Sequence, residues 1–324
     1  MKNIRKNAIL IYVIGFVIAR ATFLGINPLA IGYFTAAYLD KARPGLLFIT
    51  ILAGIGSAMA PTMVLKYLLS MISSVVLLES PYLKKRELPL QLYFYIPAIT
   101  LGIFAMMEAG AYGWDPKMIF MAILEAIIAY VSGMIFSLGT GFFLKQPKGM
   151  KMTNEEMISL SLMVAVLIYA LPEVSSPYIA PIETVVYFVI LLFTYKYGVG
   201  QGAVTGAVSG FALSLRGAPI HIISLLTMMG IVPALFRSIG RIPTAAVFSL
   251  TSAIISLLYG EIAVSSREIA ALSSALLLFL LLPKTIIYRV DNDKNGIGQS
   301  LMSLDNLKKL ANNRMKTFSE SFLK

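Results

Sequence analysis

Cysteine is absent from this 324-residue sequence, histidine and tryptophan occur once each, and charged residues make up only 13% of it. Without cysteine there is no disulfide framework and no thiolate metal site, so the redox compartment leaves no mark on the chain. The single histidine, His221, has no cysteine and no second histidine to share a metal with; it follows Pro219 and reads as an interfacial residue. No Ser, His and Asp set can be gathered on one side for nucleophilic catalysis. The chain therefore lacks the residues of an intramembrane enzyme, and neither a catalytic residue nor a resident metal or cofactor is assigned to it. Negative charge is scarce as well, with 16 Asp and Glu against 27 Lys and Arg, a net charge of +11.

Apolar residues fill the space that these absences leave. Hydrophobic types account for 58% of the chain and the mean hydropathy is +0.80, against about 45–50% apolar content in soluble domains. This is a membrane protein. Twelve apolar stretches fall at about 8–26, 28–39, 45–60, 62–78, 90–107, 117–144, 156–171, 179–195, 198–215, 219–236, 242–259 and 267–282, many of them near the ~20 residues a helix needs to cross the hydrocarbon. Backbone polar groups in lipid must be satisfied within each segment, so these stretches predict an all-α, polytopic transmembrane helix bundle. The piece at 28–39 is short, fit for a tilted half-helix or a re-entrant segment, and the expected number of crossings is ten to twelve. The expected organisation is a membrane bundle over 1–283, a linker over 284–298 and an amphipathic cytoplasmic helix over 299–324.

Basic residues orient the bundle. With both termini cytoplasmic, only Lys117, Arg216 and Arg267 fall outside and Arg20 and Lys66 lie within segments; every other Lys and Arg is on the inner side, as the positive-inside rule requires. Tyr112 and Trp114, beside Asp115-Pro116, suit an outer interface belt. Basic inner loops facing anionic lipid account for the net charge, and no nucleic-acid partner is needed. The first apolar run has no small-residue cleavage site before Arg20, so it is not a cleavable signal peptide.

Residues 198–210 read GVGQGAVTGAVSG. A dinucleotide fingerprint needs a preceding strand and an acidic residue about 20 positions on, and the stretch from Arg216 to His221 carries none. Gly198, Gly202, Gly206 and Gly210 instead recur every fourth residue, along one helical stripe widened by Ala203, Ala207 and Ser209. Such a stripe lets helix backbones approach closely, or thins a helix so that something polar can pass or bind beside it.

Four charges lie inside apolar segments: Arg20, Lys66, Glu125 and Glu183. Each needs an explanation, because charge in the membrane is costly. At 1.5 Å per residue, Arg20 lies roughly 20 Å above the inner end of its segment and Glu125 roughly 12 Å below the outer end of its own, nearly the same depth in a core of about 30 Å. An Arg20–Glu125 ion pair is expected, either fixing helix register or serving a binding or sensing role. Glu183, one turn from an outer interface, is expected to snorkel.

After Leu282 the chain turns polar. Asp291 to Gly296 is a turn-rich linker, and Leu304, Leu307, Ala311, Met315, Phe318 and Phe322 then recur at intervals of three and four. This stripe must bury against its own copy, the inner membrane surface or a following domain. Its stop at Lys324 suggests a longer chain or an absent partner.

The order of these features resembles the N-terminal membrane region of the stage II sporulation protein E family of endospore formers. IGFVIARATFLGINPLAIGYFTAA (14–37), MAILEAIIAYVSGMIF (121–136), TNEEMISLSLMVAVL (153–167), the glycine-rich 198–210 helix, SLLYGE (256–261) and LLPKTIIYRV (281–290) carry the resemblance in order, over essentially the whole chain. Arg20 and Glu125 lie on two of these stretches. The resemblance implies a polytopic anchor joined, through a linker and oligomerisation region, to a cytoplasmic manganese-dependent serine phosphatase of the PPM type. That enzyme dephosphorylates an anti-anti-sigma factor at the polar division septum, which activates a forespore sigma factor. It implies partners in the lipid bilayer, in further copies of the chain and, through the remainder of the protein, in the tubulin-like division ring protein and the anti-anti-sigma factor. The metal-binding aspartates of the phosphatase have no counterpart in these residues. The 304–322 stripe would carry a signal from bundle to enzyme. An alternative from another class is a small-molecule permease or substrate-binding membrane subunit, with the glycine stripe and Arg20 lining a cavity; no inverted repeat supports it.

Overall fold

Proline marks where helices begin. Pro28, Pro44, Pro61, Pro116 and Pro181 each occupy the first position of a helix, where the missing N–H is not needed and the fixed φ is already helical. The computed structural model describes residues 2–40, 42–81, 89–145, 153–172, 180–258 and 266–283. Among these residues there are twelve α-helices and no strand: α1 (Lys2–Ile18), α2 (Pro28–Leu39), α3 (Pro44–Ala58), α4 (Pro61–Leu78), α5 (Leu90–Ala111), α6 (Pro116–Lys145), α7 (Asn154–Ala170), α8 (Pro181–Tyr197), α9 (Val199–Leu215), α10 (Ile222–Ile231), α11 (Arg241–Leu258) and α12 (Ser266–Leu281), with a 3₁₀ turn at Pro233–Phe236. Each of the twelve apolar stretches thus carries one helix.

The helices assemble within one unit formed by Met1–Pro147 and Met152–Leu281. A second unit, Lys148–Lys151 with Leu282–Lys324, lies outside the described residues except for Leu282 and Pro283. The expected 284–298 linker and the stripe of Leu304, Leu307, Ala311, Met315, Phe318 and Phe322 fall there.

Among the described residues three helices are long and apolar enough to cross a membrane, at Gln91–Ala111, Pro116–Gly141 and Arg241–Leu258, and six shorter stretches of apolar helix accompany them. α2 has 12 residues, a rise of about 18 Å that falls short of a core about 30 Å thick. It is nonetheless the most enclosed element described here, buried from Pro28 and Ala30 to Ala37 with α1, α3, α5 and α6 packed around it. Being apolar on every side, it has no face to give to water, which is the pattern of a fully buried helix.

Small residues set the closest contacts. A Cβ on Gly32 of α2 would meet Ser132 and the Gly133 N of α6, and one on Gly54 of α3 would meet the Phe16 carbonyl of α1 at 2.5 Å. α7 opens with a capping box: the Glu156 N–H donates to Thr153 Oγ1 at 3.2 Å, and the Thr153 N–H donates to Glu156 Oε2 at 2.9 Å, which satisfies two orphan donors at the helix start.

One expected boundary differs. The apolar run at 8–26 is not a single helix: α1 stops at Ile18, and residues 19–27 form a turn held by paired hydrogen bonds between Phe23 and Ile26. Leu24 (φ 53°) and Gly25 (φ 82°) occupy the left-handed region at its tip. Asn27 then caps α2, its Oδ1 accepting from the Ala30 N–H. The asparagine–proline pair that starts α2 also ends the reach of the preceding segment.

Candidate functional site

A row of polar side chains runs inward from the end of the bundle where α4 begins, α5 ends and α6 begins. Lys66 lies five residues into α4, Glu108 near the C-terminus of α5, and Glu125 nine residues into α6, so the three sit about one to three turns below that end. Lys66 Nζ is 3.0 Å from Glu108 Oε2 and 2.9 Å from Glu125 Oε2. Burial grades along the row: the Glu108 side chain is 24% exposed, Lys66 8% and Glu125 1%.

The row continues through tyrosine. The Tyr67 hydroxyl donates to Glu125 Oε1 and accepts the Asn27 N–H at 2.6 Å. Asn27 Nδ2 in turn donates to the Ala19 carbonyl at 2.6 Å. Glu125 therefore has a partner on each oxygen, Lys66 on one and Tyr67 on the other, as an isolated charge in a dry interior requires. The far end of the row is the 19–27 turn, which is also tied to α7, where the Tyr169 hydroxyl donates to the Thr22 carbonyl at 2.7 Å. Arg216, at the C-terminal cap of α9, donates to the carbonyls of Tyr169 and Leu171 at 2.7 and 2.6 Å.

Glu125 is thus paired, but with Lys66 rather than with Arg20. Arg20 stands in the 19–27 turn beyond the end of α1, and its Nε is buried with no hydrogen-bond partner among the described residues. Counting depth along an unbroken helix placed it wrongly, because the helix ends two residues earlier. Lys66 stood out in the sequence as an intramembrane charge without an assigned partner, and Glu108 did not stand out, since it falls one position past the apolar run at 90–107. The signal was the pair of prolines at 61 and 116, from which Lys66 and Glu125 count to similar depths within the reach of a lysine stem. Glu183 is held by Arg267, Oε1 accepting from Nη2 at 2.9 Å and Nε at 3.1 Å, both side chains about a quarter exposed.

The glycines of α9 divide into two groups. A Cβ on Gly202 would meet the Gly230 carbonyl at 2.3 Å, one on Gly206 the Leu226 carbonyl at 2.2 Å, and one on Gly210 the Ile223 Cα at 2.6 Å, so these three lie on the backbone of α10. Gly198 is not on that face. With φ +89° it is the residue between α8 and α9, and a Cβ there would strike the Arg237 guanidinium. The neighbouring side of α9 meets α7 through polar contacts, Gln201 Nε2 donating to the Met157 carbonyl at 2.8 Å and to Ser161 Oγ at 2.5 Å.

Among the described residues no group of three His, Cys, Asp or Glu side chains is brought together as metal ligands. The row at Lys66 contains two carboxylates with an ammonium between them, a donor set that suits a proton or an ion pair better than manganese.

The family model for the SpoIIE N-terminal domain matches residues 1–291. Stage II sporulation protein E of Bacillus subtilis (strain 168) is 26% identical over 292 residues, covering 86% of this chain and 34% of that protein. The chain thus spans about a third of the length of that curated relative. No solved structure matches.

Proposed function

This chain belongs to the SpoIIE N-terminal domain family, and from that premise we propose that it anchors a sporulation serine phosphatase in the cytoplasmic membrane, localises it to the polar septum and helps it self-associate. The observation that carries the reading is a division of material: the chain spans 34% of its relative, and its described residues are built into apolar helices. Chemistry then belongs to the remaining length. There a manganese-dependent PPM-type phosphatase acts on an anti-anti-sigma factor and so activates a forespore sigma factor, and there the tubulin-like division ring protein is met. The asymmetry of Lys and Arg supports both termini being cytoplasmic, which puts the residues after Leu282 on the side of the enzyme. The stripe of Leu304, Leu307, Ala311, Met315, Phe318 and Phe322 is the element that passes a rearrangement of the bundle onward, since a report of that kind needs an element with two alternative packings.

The test is a fusion of Met1–Lys324 to a fluorescent protein, imaged in sporulating cells. Enrichment at the polar septum is expected. Uniform membrane label would assign the address to the rest of the protein and overturn the localising role.

A further inference from the structure

Two carboxylates face one ammonium in the row at Lys66. Glu125 has partners on both oxygens and its side chain is 1% exposed, while Glu108 bonds the same ammonium from the less buried side. The groups that face one another come from every element packed here: Lys66 and Tyr67 of α4, Glu108 of α5, Glu125 of α6 and Asn27 of the turn before α2. Among the described residues no other charged side chain forms an ion pair or hydrogen bond with them. With both carboxylates and the lysine ionised, the three charges that bond one another sum to minus one in a region where charge is costly, and Arg20, in the turn at the far end, makes no ion pair with them among the described residues.

We propose that this row is a proton-binding site, loaded from the end of the bundle that carries the 112–115 turn. The proton arrives from water at Glu108, forms an O–H bond to a carboxylate oxygen of the Glu108–Glu125 pair, and brings the net charge of the row from minus one to zero. Lys66 stands between the two carboxylates, 3.0 Å from one and 2.9 Å from the other, so a proton on either one relieves the same excess of negative charge. Loading changes what Lys66 and Tyr67 can bond. The Asn27 N–H donates to the Tyr67 hydroxyl, so the change reaches the 19–27 turn and, through the Tyr169–Thr22 bond, α7. The site does not depend on the anchoring role, because it rests on the bundle's own side chains.

The molecule carries its own reporter. Its only tryptophan, Trp114, lies with its ring on Gly110, in the turn where the Tyr112 N–H bonds the Glu108 carbonyl. In the protein reconstituted into lipid vesicles, Trp114 emission titrated against pH at constant ionic strength should move in one sigmoidal step. Glu108→Gln should remove that step while helical circular dichroism is retained. Infrared difference spectra between acidic and alkaline buffer should show a protonated carboxyl band that is diminished in Glu108→Gln and, independently, in Glu125→Gln, which separates the row from the other acidic residues of the chain. A step that persists in Glu108→Gln, a wild-type protein with neither step nor carboxyl band, or a step that follows sodium concentration instead of pH would each overturn the proposal.

Discussion

Asn27 and Tyr67 are 40 residues apart in sequence, and the main-chain N–H of the first donates to the hydroxyl of the second at 2.6 Å. That bond joins the turn that ends the first apolar run to the charge row between α4, α5 and α6. Because the same hydroxyl also donates to Glu125, its removal leaves a buried donor and a buried acceptor short of a partner at once. Tyr67→Phe should therefore destabilise the bundle by about 2–6 kcal/mol, since each of the two orphaned buried groups costs about 1–3 kcal/mol. Chemical denaturation of the detergent-solubilised protein, followed by circular dichroism, measures it. A change below about 0.5 kcal/mol would show that water replaces the hydroxyl.

Lys66→Met should be more damaging than Glu125→Gln. The first leaves a carboxylate that is 1% exposed without its cation, and breaking a buried pair from one side costs about 3–5 kcal/mol. The second leaves the ammonium bonded to Glu108 at 3.0 Å. The double variant Lys66→Met/Glu125→Gln should recover part of the loss, and the same denaturation experiment gives the coupling directly. Additive losses would mean that the two residues do not act as a pair.

Much of this architecture is legible in the sequence, for reasons that differ by element. Prolines at 28, 44, 61, 116 and 181 punctuate helix starts, so the helix boundaries follow the apolar stretches closely. Asn27-Pro28 is readable too, as a cap followed by the first helical residue, yet the nine residues from Ile18 to Ile26, apolar or small apart from Arg20, give no internal stop by hydropathy alone. A polar row that forms between three helices has no sequence period. Lys66, Glu108 and Glu125 meet only because α4, α5 and α6 pack side by side, and the tertiary pairing decides which cation reaches Glu125. The Thr153–Glu156 capping box, by contrast, lies within four residues and is local.

Glu183 and Arg267 give the opposite expectation to Lys66 and Glu125. Their side chains are 27% and 29% exposed, and pairs screened by solvent contribute roughly 0–1 kcal/mol. Glu183→Gln should lower folded yield less than Glu125→Gln under the same expression and extraction, with size-exclusion chromatography of the solubilised protein as the readout. Equal yields would place the two carboxylates in equivalent surroundings, against the burial seen here.

The row of glycines in α9 makes a prediction that separates positions two to six residues apart. Gly206→Ala puts a methyl group where the Leu226 carbonyl carbon and oxygen and the Thr227 Cα already lie, between 2.2 and 2.9 Å away. Those atoms are backbone and cannot turn aside, so α9 and α10 must separate; overpacking of this kind costs about 1–3 kcal/mol. Gly202→Ala should behave alike, since the Gly230 carbonyl stands in its place and the Gly230 Cβ position is in turn occupied by the Gly202 carbonyl. Gly200 has nothing within 4 Å of its Cβ position, and Gly200→Ala should be neutral or stabilising by about 0.5–1 kcal/mol, the helix-propensity difference between the two residues. Thermal unfolding of the three variants tests the contrast within one helix, and a Gly200→Ala loss as large as the Gly206→Ala loss would show that propensity or lipid contact, not the approach of α10, governs the row.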